Sequence, residues 1–403
     1  MARNNKEAPD LSDQPYQGAI HQGSLSLAAN KVRIRLDVGL GVFSGATVDV
    51  GTQMLLRTLI DAPADQIFDL GCGYGPIGLM LASHRPNSRT VMMDRDAVAV
   101  AYAAHNATLN GIEGVEVLGG LGWSDLPEGV APNLIASNIP AKAGTEVVNH
   151  LLTGGPRPTG GLRAVVVIER IAAEVEAALQ SAEAEVELRK ANRSHIALHY
   201  RLPPPEEPPS ELALHSRGSR PFSAAKLDWE LDTAWGLPEF DTLTHSTKLA
   251  VKALREIHRR PAMVAMVFNP GVGHLALAVS RLIDPDLIHL ASRDLLALRQ
   301  TEANLAADSG PPVVLHHSPL PELTPDSVDL CVVNLSEKLT GSAVNALVRR
   351  ISAALRPAGR LVVAGTSTAV HRFTAAAHGA KLPLILLDQR KDMAHSAADL
   401  VRT

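Results

Sequence analysis

A chain of 403 residues with 46% hydrophobic content is long enough for two well-filled cores, and its formal charge of −4 excludes a global basic field that would draw nucleic acid or a membrane surface. Aromatics at 3% leave few platforms for stacking bases, so any nucleic-acid contact must come from a local patch. Two cysteines, Cys72 and Cys331, lie in separate halves and exclude a disulfide framework, and the longest apolar runs are too short to span a membrane. Residues 1–16 are polar with charges of both signs, unlike a signal peptide, and the expectation is a cytoplasmic protein.

In chain order, residues 1–20 lack periodicity and predict a disordered tail. From residue 23 to 42 the apolar positions Leu25, Leu27, Val32, Ile34, Leu36 and Val38 alternate with polar ones, and Asn30-Lys31 turns a hairpin between two strands. Asp49 or Thr52 is placed to cap a helix over 53–60. Then Ile67-Phe68-Asp69-Leu70-Gly71-Cys72-Gly73-Tyr74-Gly75-Pro76-Ile77-Gly78 reads as strand, glycine loop and helix. Such a loop lets a ligand approach the backbone, and the following helix turns free N–H groups toward it. A second strand ends at Asp94, where a carboxylate can accept both hydroxyls of a ribose. A dinucleotide and S-adenosylmethionine both carry that ribose. The acid at Asp69 ahead of the glycines is not part of the dinucleotide fingerprint; Asp-Leu-Gly-Cys-Gly-Tyr-Gly resembles motif I of class I methyltransferases.

A helix over 97–109, strands over 114–118 and 133–137, a helix over 147–152, a strand over 162–168, a helix over 171–183 and a closing strand pair (186–188 and 195–200) complete a doubly wound, mostly parallel sheet. The fourth strand runs into Asn138-Ile139-Pro140-Ala141-Lys142, at the sheet's carboxyl edge, where the reactive end of a cofactor would lie. His195 and His199 have a four-residue spacing, but on a strand and without a third ligand they read as structural, as do His316 and His317; no metal site is expected.

Leu202-Pro203-Pro204-Pro205 and the prolines after it open a linker predicted over 202–234, and the pattern then repeats. With Asn269 set on Asp69, an offset of 200, Gly271 falls on Gly71 and Gly273 on Gly73; as the offset drifts down toward 195, Ser292 falls on Asp94, Asn304 on Asn106, Asn334 on Asn138 and Lys338 on Lys142. The expected fold is therefore α/β, two tandem Rossmann-like units: an intact one over 21–201 and a degenerate one over 235–403 that has lost Asp69, Gly75 and Asp94 and with them the cofactor.

Together with Gly41-Val42-Phe43-Ser44, Asp49-Val50-Gly51-Thr52 and Asn192-Arg193-Ser194, the glycine motif is similar to the RsmC/RlmG-type ribosomal RNA guanine methyltransferases, which have two tandem class I methyltransferase domains. The resemblance covers roughly residues 20–200 and is architectural beyond 235. It implies an S-adenosyl-L-methionine-dependent methyltransferase acting on an exocyclic amine of a ribosomal RNA base. Asp69, Gly71, Gly73 and Gly75 would hold the methionine end, Asp94 the ribose, Asn138 and Pro140 the acceptor, with Phe43, Ile139 and Lys142 beside the substrate. Two features depart from that family. The intact copy here comes first, and Asn138-Ile139-Pro140-Ala141 stands where the family has Asn-Pro-Pro-aromatic. Ala141 supplies no ring, which leaves Phe43, Tyr74 and Trp123 as aromatic candidates. A protein or small-molecule acceptor, or a non-catalytic cofactor- or RNA-binding scaffold, are the alternatives. The sequence is silent on oligomeric state.

Overall fold

The computed structural model describes residues 17–156, 161–203, 211–260, 263–335 and 339–403. The first unit runs α1 (Gln17–Ile20), β1 (His21–Ala29), β2 (Val32–Gly39), α2 (Val50–Leu59), β3 (Gln66–Leu70), α3 (Pro76–His84), β4 (Arg89–Asp94), α4 (Ala97–Leu109), β5 (Val115–Gly119), β6 (Leu134–Asn138), α5 (Thr145–Thr153), β7 (Leu162–Ile168), α6 (Ala172–Ser181), β8 (Glu185–Ala191) and β9 (His195–Arg201). The second runs α7 (Glu211–Leu214), β10 (Ser216–Ala224), β11 (Leu227–Ala234), α8 (His245–Leu254), β12 (Val264–Phe268), α9 (His274–Ile283), β13 (Leu287–Ser292), α10 (Leu295–Ala307), β14 (Val313–His317), β15 (Val328–Leu335), α11 (Gly341–Ala354), β16 (Leu355–Thr366), α12 (Ser367–Gly379), β17 (Leu384–Asp392) and β18 (His395–Arg402).

Each unit contains one seven-stranded sheet, ordered β5-β4-β3-β6-β7-β9-β8 and β14-β13-β12-β15-β16-β18-β17. The first five strands of each are parallel, and the last pair adds antiparallel strands at one edge. Apolar runs such as Ile67–Leu70 and Val91–Met93 are buried because helices cover both faces. Helix α2 turns Leu55, Leu56 and Leu59 inward, each burial contributing roughly 1.5–3 kcal/mol.

A hairpin precedes each sheet. Asn30 and Lys31, both with positive φ, turn β1 into β2 as expected, and Ala225 and Lys226 do the same between β10 and β11. One asparagine locks each hairpin to its glycine loop. Asn106 Oδ1 accepts from Asp37 N (2.8 Å) while its Nδ2 donates to Asp37 O and Tyr74 O (both 2.9 Å). Asn304 does the same with Asp232 N (3.0 Å), Asp232 O (2.9 Å) and Val272 O (2.8 Å).

Three expectations are corrected. The tail predicted over 1–20 contains α1, whose Ile20 is buried in the first core and whose Ala19 carbonyl accepts from Ser342 Oγ at 2.9 Å; residues 1–16 lie outside the described residues. The second half of the linker predicted over 202–234 is the hairpin β10–β11, with Phe222, Trp229 and Leu231 in the second core; residues 204–210 are not described. The repeat register is 198 and not 200 across the glycine loop: Gly75 and Gly273 both cap the next helix in the left-handed region, and Gly71 N and Asn269 N both donate to the equivalent strand (Met93 O and Ala291 O). Thus Gly73 and Gly75 recur as Gly271 and Gly273, whereas Asp69 is replaced by Val267, Gly71 by Asn269 and Asp94 by Ser292. Asn269 has φ +55, a conformation asparagine tolerates better than most residues. Lys338 is outside the described residues.

The copies meet through the segments following β4 and β13. Ala97 N donates to Arg293 O (2.8 Å) and Leu295 N to Arg95 O (3.0 Å). The side chains reciprocate: Arg95 pairs with Asp294 (2.9 Å), and Arg293 reaches Asp96 Oδ1 from Nε (2.8 Å) and Leu40 O from Nη1 (2.8 Å). Arg299 grips Asp125 with both Nη atoms (2.8 and 2.6 Å), and His317 Nε2 lies 2.9 Å from Arg95 O and 3.0 Å from Arg293 O. A cleft between the copies, lined by Leu40, Gly41, Arg95, Asp96, Arg293, Asp294 and Leu339, has its four charged groups engaged in these pairs.

Candidate active site

In the first sheet the strand order reverses between β3 and β6, and the carboxyl ends of the strands at such a switch point are where open α/β sheets bind their ligands. Asp69, Asp94 and Asn138 all lie at this edge. The loop after β3 bends back so that Gly71 N and Cys72 N both donate to Met93 O at 2.9 Å. A Cβ added at Gly71 or Gly73 would meet no atom within 4 Å, so both face open space. Gly75, expected among the cofactor contacts, is also required by packing: a Cβ there would lie 2.8 Å from Leu79 Cδ1 and 2.9 Å from Met92 Cε. Gly78 is held the same way, with Asp69 Oδ2 3.0 Å from a would-be Cβ.

Two carboxylates support the loop. Asp94 Oδ2 accepts from Gly73 N (2.8 Å) and Oδ1 from Asp96 N (2.9 Å), which fixes the carboxylate and leaves each oxygen further acceptor capacity. Burial, with the Asp96 charge nearby, pushes its pKa up to about 6. Asp69 is wholly buried; its Oδ2 accepts from Gly78 N at 2.7 Å, tying β3 to α3, while Oδ1 has no partner. Burial pushes Asp69 up to about 7, against the opposing effect of the Gly78 hydrogen bond. An unpartnered buried oxygen and an open glycine cradle fit a ligand that brings a donor to the methionine end of the site.

Asn138 is set by residues that the sequence places 86 and 89 positions earlier. Its Nδ2 donates to Asp49 Oδ2 (3.0 Å) and Thr52 Oγ1 (3.1 Å), which occupies both amide protons and turns Oδ1 away from them. Asp49 also accepts from Thr52 N at 3.1 Å, so the cap expected of it holds. Sequence reasoning stopped at that cap and missed its second role; the recurrence of Asp49-Val50-Gly51-Thr52 within the family resemblance was the available signal. Next, Ile139 N donates to Val166 O and its side chain is buried, so only its carbonyl is available to a substrate. Pro140 is exposed, with its carbonyl accepting from Ala143 N in the turn that follows, and Lys142 is exposed on that turn.

The aromatic candidates separate cleanly. Trp123 is buried against Phe68 under Arg163, and Tyr74 is buried with its hydroxyl 3.4 Å from Ser44 O. That contact sets the 41–45 loop beside the glycine loop, and Phe43 there is 70% exposed. The histidines singled out in the sequence each have a side-chain partner: His199 Nε2 meets Thr58 Oγ1 at 2.8 Å, His195 Nδ1 meets Ser194 Oγ at 2.8 Å, and His316 Nε2 meets His289 Nδ1 at 2.9 Å. Among the described residues no three His, Cys, Asp or Glu side chains form a metal-holding group.

The second copy is less open at the equivalent loop. Pro238 comes within 3.7 Å of a Cβ placed on Gly271, where the first copy is open, and Asn269 Nδ2 donates to Asn334 O at 3.2 Å.

Residues 33–194 match the family model described as methyltransferase small domain. The chain is 40% identical over 104 residues to a ribosomal RNA small subunit methyltransferase C of Pseudomonas putida, and 33% identical over 114 residues to the ribosomal RNA large subunit methyltransferase G of Shewanella oneidensis. These matches take in 26% and 27% of this chain and 30% of each relative's length. Over nearly the whole chain the fold is similar to the T. thermophilus 16S rRNA N2 G1207 methyltransferase RsmC, solved in complex with AdoMet and guanosine, with a TM-score of 0.68 at 17% identity, covering 96% of this chain and 100% of that one. Residues 33–194 thus match the methyltransferase small-domain model, and they lie within a tandem pair of Rossmann-like units whose fold is similar to that of RsmC.

Proposed function

We propose that the protein is an S-adenosylmethionine-dependent methyltransferase that modifies an exocyclic amine of a ribosomal RNA base with its first domain. The observation that carries the reading is Asn138: with both amide protons engaged by Asp49 and Thr52 at the carboxyl end of β6, Oδ1 is left as an acceptor of fixed orientation. S-adenosylmethionine supplies an electrophilic methyl on a sulfonium. Asp69, Gly71 and Gly73 would hold its methionine end and Asp94 its ribose. Asn138 Oδ1 and the Ile139 carbonyl would accept the two protons of the substrate amine and aim its lone pair, a benefit of orientation. Phe43 and Lys142 flank the acceptor. The second domain keeps the fold without the cofactor, a reading supported by Val267, Ser292 and Pro238 in place of an open, acidic cradle. The matched relatives named as ribosomal RNA methyltransferases support RNA as substrate, and the expected setting is the cytoplasm.

Comparison of methylated nucleosides in ribosomal RNA by mass spectrometry, with and without the gene, tests this: one methylated base should disappear. An unchanged profile would favour a second reading, a protein or small-molecule acceptor, to which Ala141 points because no ring follows Asn138 in the usual place.

A further inference from the structure

The second domain brings an aromatic and guanidinium stack to the first domain's acceptor loop. The Arg217 guanidinium carbon lies 3.9 Å from the Trp235 ring centroid and 3.6 Å from that of Phe240. Rings at this distance hold the guanidinium plane while leaving its in-plane N–H fork free. Arg95, Arg293 and Arg299 nearby are each paired with an aspartate. Arg217 has no carboxylate partner among the described residues.

The stack is also in the right place. A Cβ on Gly144 would sit 3.7 Å from Trp235 Cγ, and Gly144 ends the run that starts at Asn138. On the other side, Gly236 O accepts from Arg95 at 3.3 Å, one residue beyond Asp94. Trp235 and Gly236 therefore touch the segments that follow the acceptor strand and the ribose strand. Trp235 N donates to His215 O at 2.7 Å, which anchors it, yet its side chain is 46% exposed.

We propose that Arg217, clamped by Trp235 and Phe240, binds an RNA phosphate beside the nucleotide presented to Asn138. A guanidinium fork matches two phosphate oxygens, and exposed Lys142 adds a second cation on the facing loop. In a chain of near-neutral charge this is the kind of local patch that RNA binding needs. The inference rests on the RNA-methyltransferase reading and assigns part of substrate capture to the domain that does no chemistry.

Filter binding of ribosomal RNA across a salt series tests it, using the full chain and its Arg217→Ala and Arg217→Lys variants. Arg217→Ala should weaken RNA binding about 10-fold and lower the magnitude of the log-affinity against log-salt slope by about 0.7–0.9, the loss of one phosphate contact. Arg217→Lys should restore the slope and only part of the affinity. Cofactor affinity and melting temperature should stay at wild-type values. If the wild type binds and methylates RNA and Arg217→Ala does so with unchanged affinity and slope, the phosphate contact is refuted while the function stands. If the wild type binds no RNA, or Arg217→Ala impairs methylation of a protein acceptor alone, both are refuted.

Discussion

Replacing Thr52 by Val removes the Oγ1 that holds one Asn138 proton at 3.1 Å, while Thr52 N still donates to Asp49 and the helix cap survives. One neutral hydrogen bond contributes roughly 0.5–1.5 kcal/mol net, so the bias that fixes the orientation of the amide falls by that amount. Methyl transfer should slow roughly 2- to 13-fold. Asn138→Ala deletes the acceptor itself. The amine gains positive charge as it attacks, and a hydrogen bond to a charged group is worth roughly 1.5–3 kcal/mol, so the rate should fall roughly 10- to 150-fold. Single-turnover transfer of labelled methyl to ribosomal RNA from cells lacking the gene measures the rate; calorimetry measures cofactor affinity, which both variants should retain. An Asn138→Ala rate within twofold of wild type, or a loss confined to cofactor affinity, would refute the role of Oδ1.

Asp94→Ala should lower cofactor affinity by at least about 10-fold, since two charge-assisted contacts to the ribose are lost, and equilibrium dialysis giving an affinity within twofold of wild type would count against the assignment. The ligand-free protein should lose stability as pH rises from about 4 to about 7, because Asp69 and Asp94, raised to about 7 and about 6 by burial, keep protons in the fold that the unfolded chain has released. Asp69→Asn should flatten most of that decline in urea unfolding at pH 5 and 7.5; an unchanged decline would locate its origin elsewhere. A double-mutant cycle between Arg293 and Asp96 should give a coupling of about 1–3 kcal/mol by thermal unfolding, larger than that between the more exposed Arg95 and Asp294, and near-zero coupling would mean the contact is cosmetic.

The first domain was legible because its signals are local. Apolar runs with glycine stops gave the strands, and Asp69, the glycines and Asp94 lie within thirty residues of one another. The hairpin over 216–234 was hidden because Ser216-Arg217-Gly218-Ser219-Arg220-Pro221 is polar and follows a proline run; its burial depends on α10, which no local pattern reveals. The repeat register differs from a glycine-on-glycine alignment by two residues. Asn269 adopts the left-handed turn that Gly71 takes, so the backbone aligned where the letters did not. Asn138 was found by its position at a strand end, but its orientation is fixed by Asp49 and Thr52, a long-range contact invisible to spacing. Trp235 is hidden for the same reason, since only the packing of one copy on the other brings it, with Arg217 over its ring, to Gly144.

The exchange of Arg95 for Arg293 and of Asp294 for Asp96 across the junction is the signature of an isologous contact, in which one patch meets its own copy about a two-fold axis. Here both halves of what is in form a homodimer lie on one polypeptide. Their association is intramolecular and does not weaken on dilution. In a true dimer every substitution appears twice, so a half that lost Asp69 and Asp94 would take its partner's site with it. Joined in tandem, the halves are free to diverge: one keeps an open, acidic cradle, while the other exchanges its acids for Val267 and Ser292 and retains the shared face.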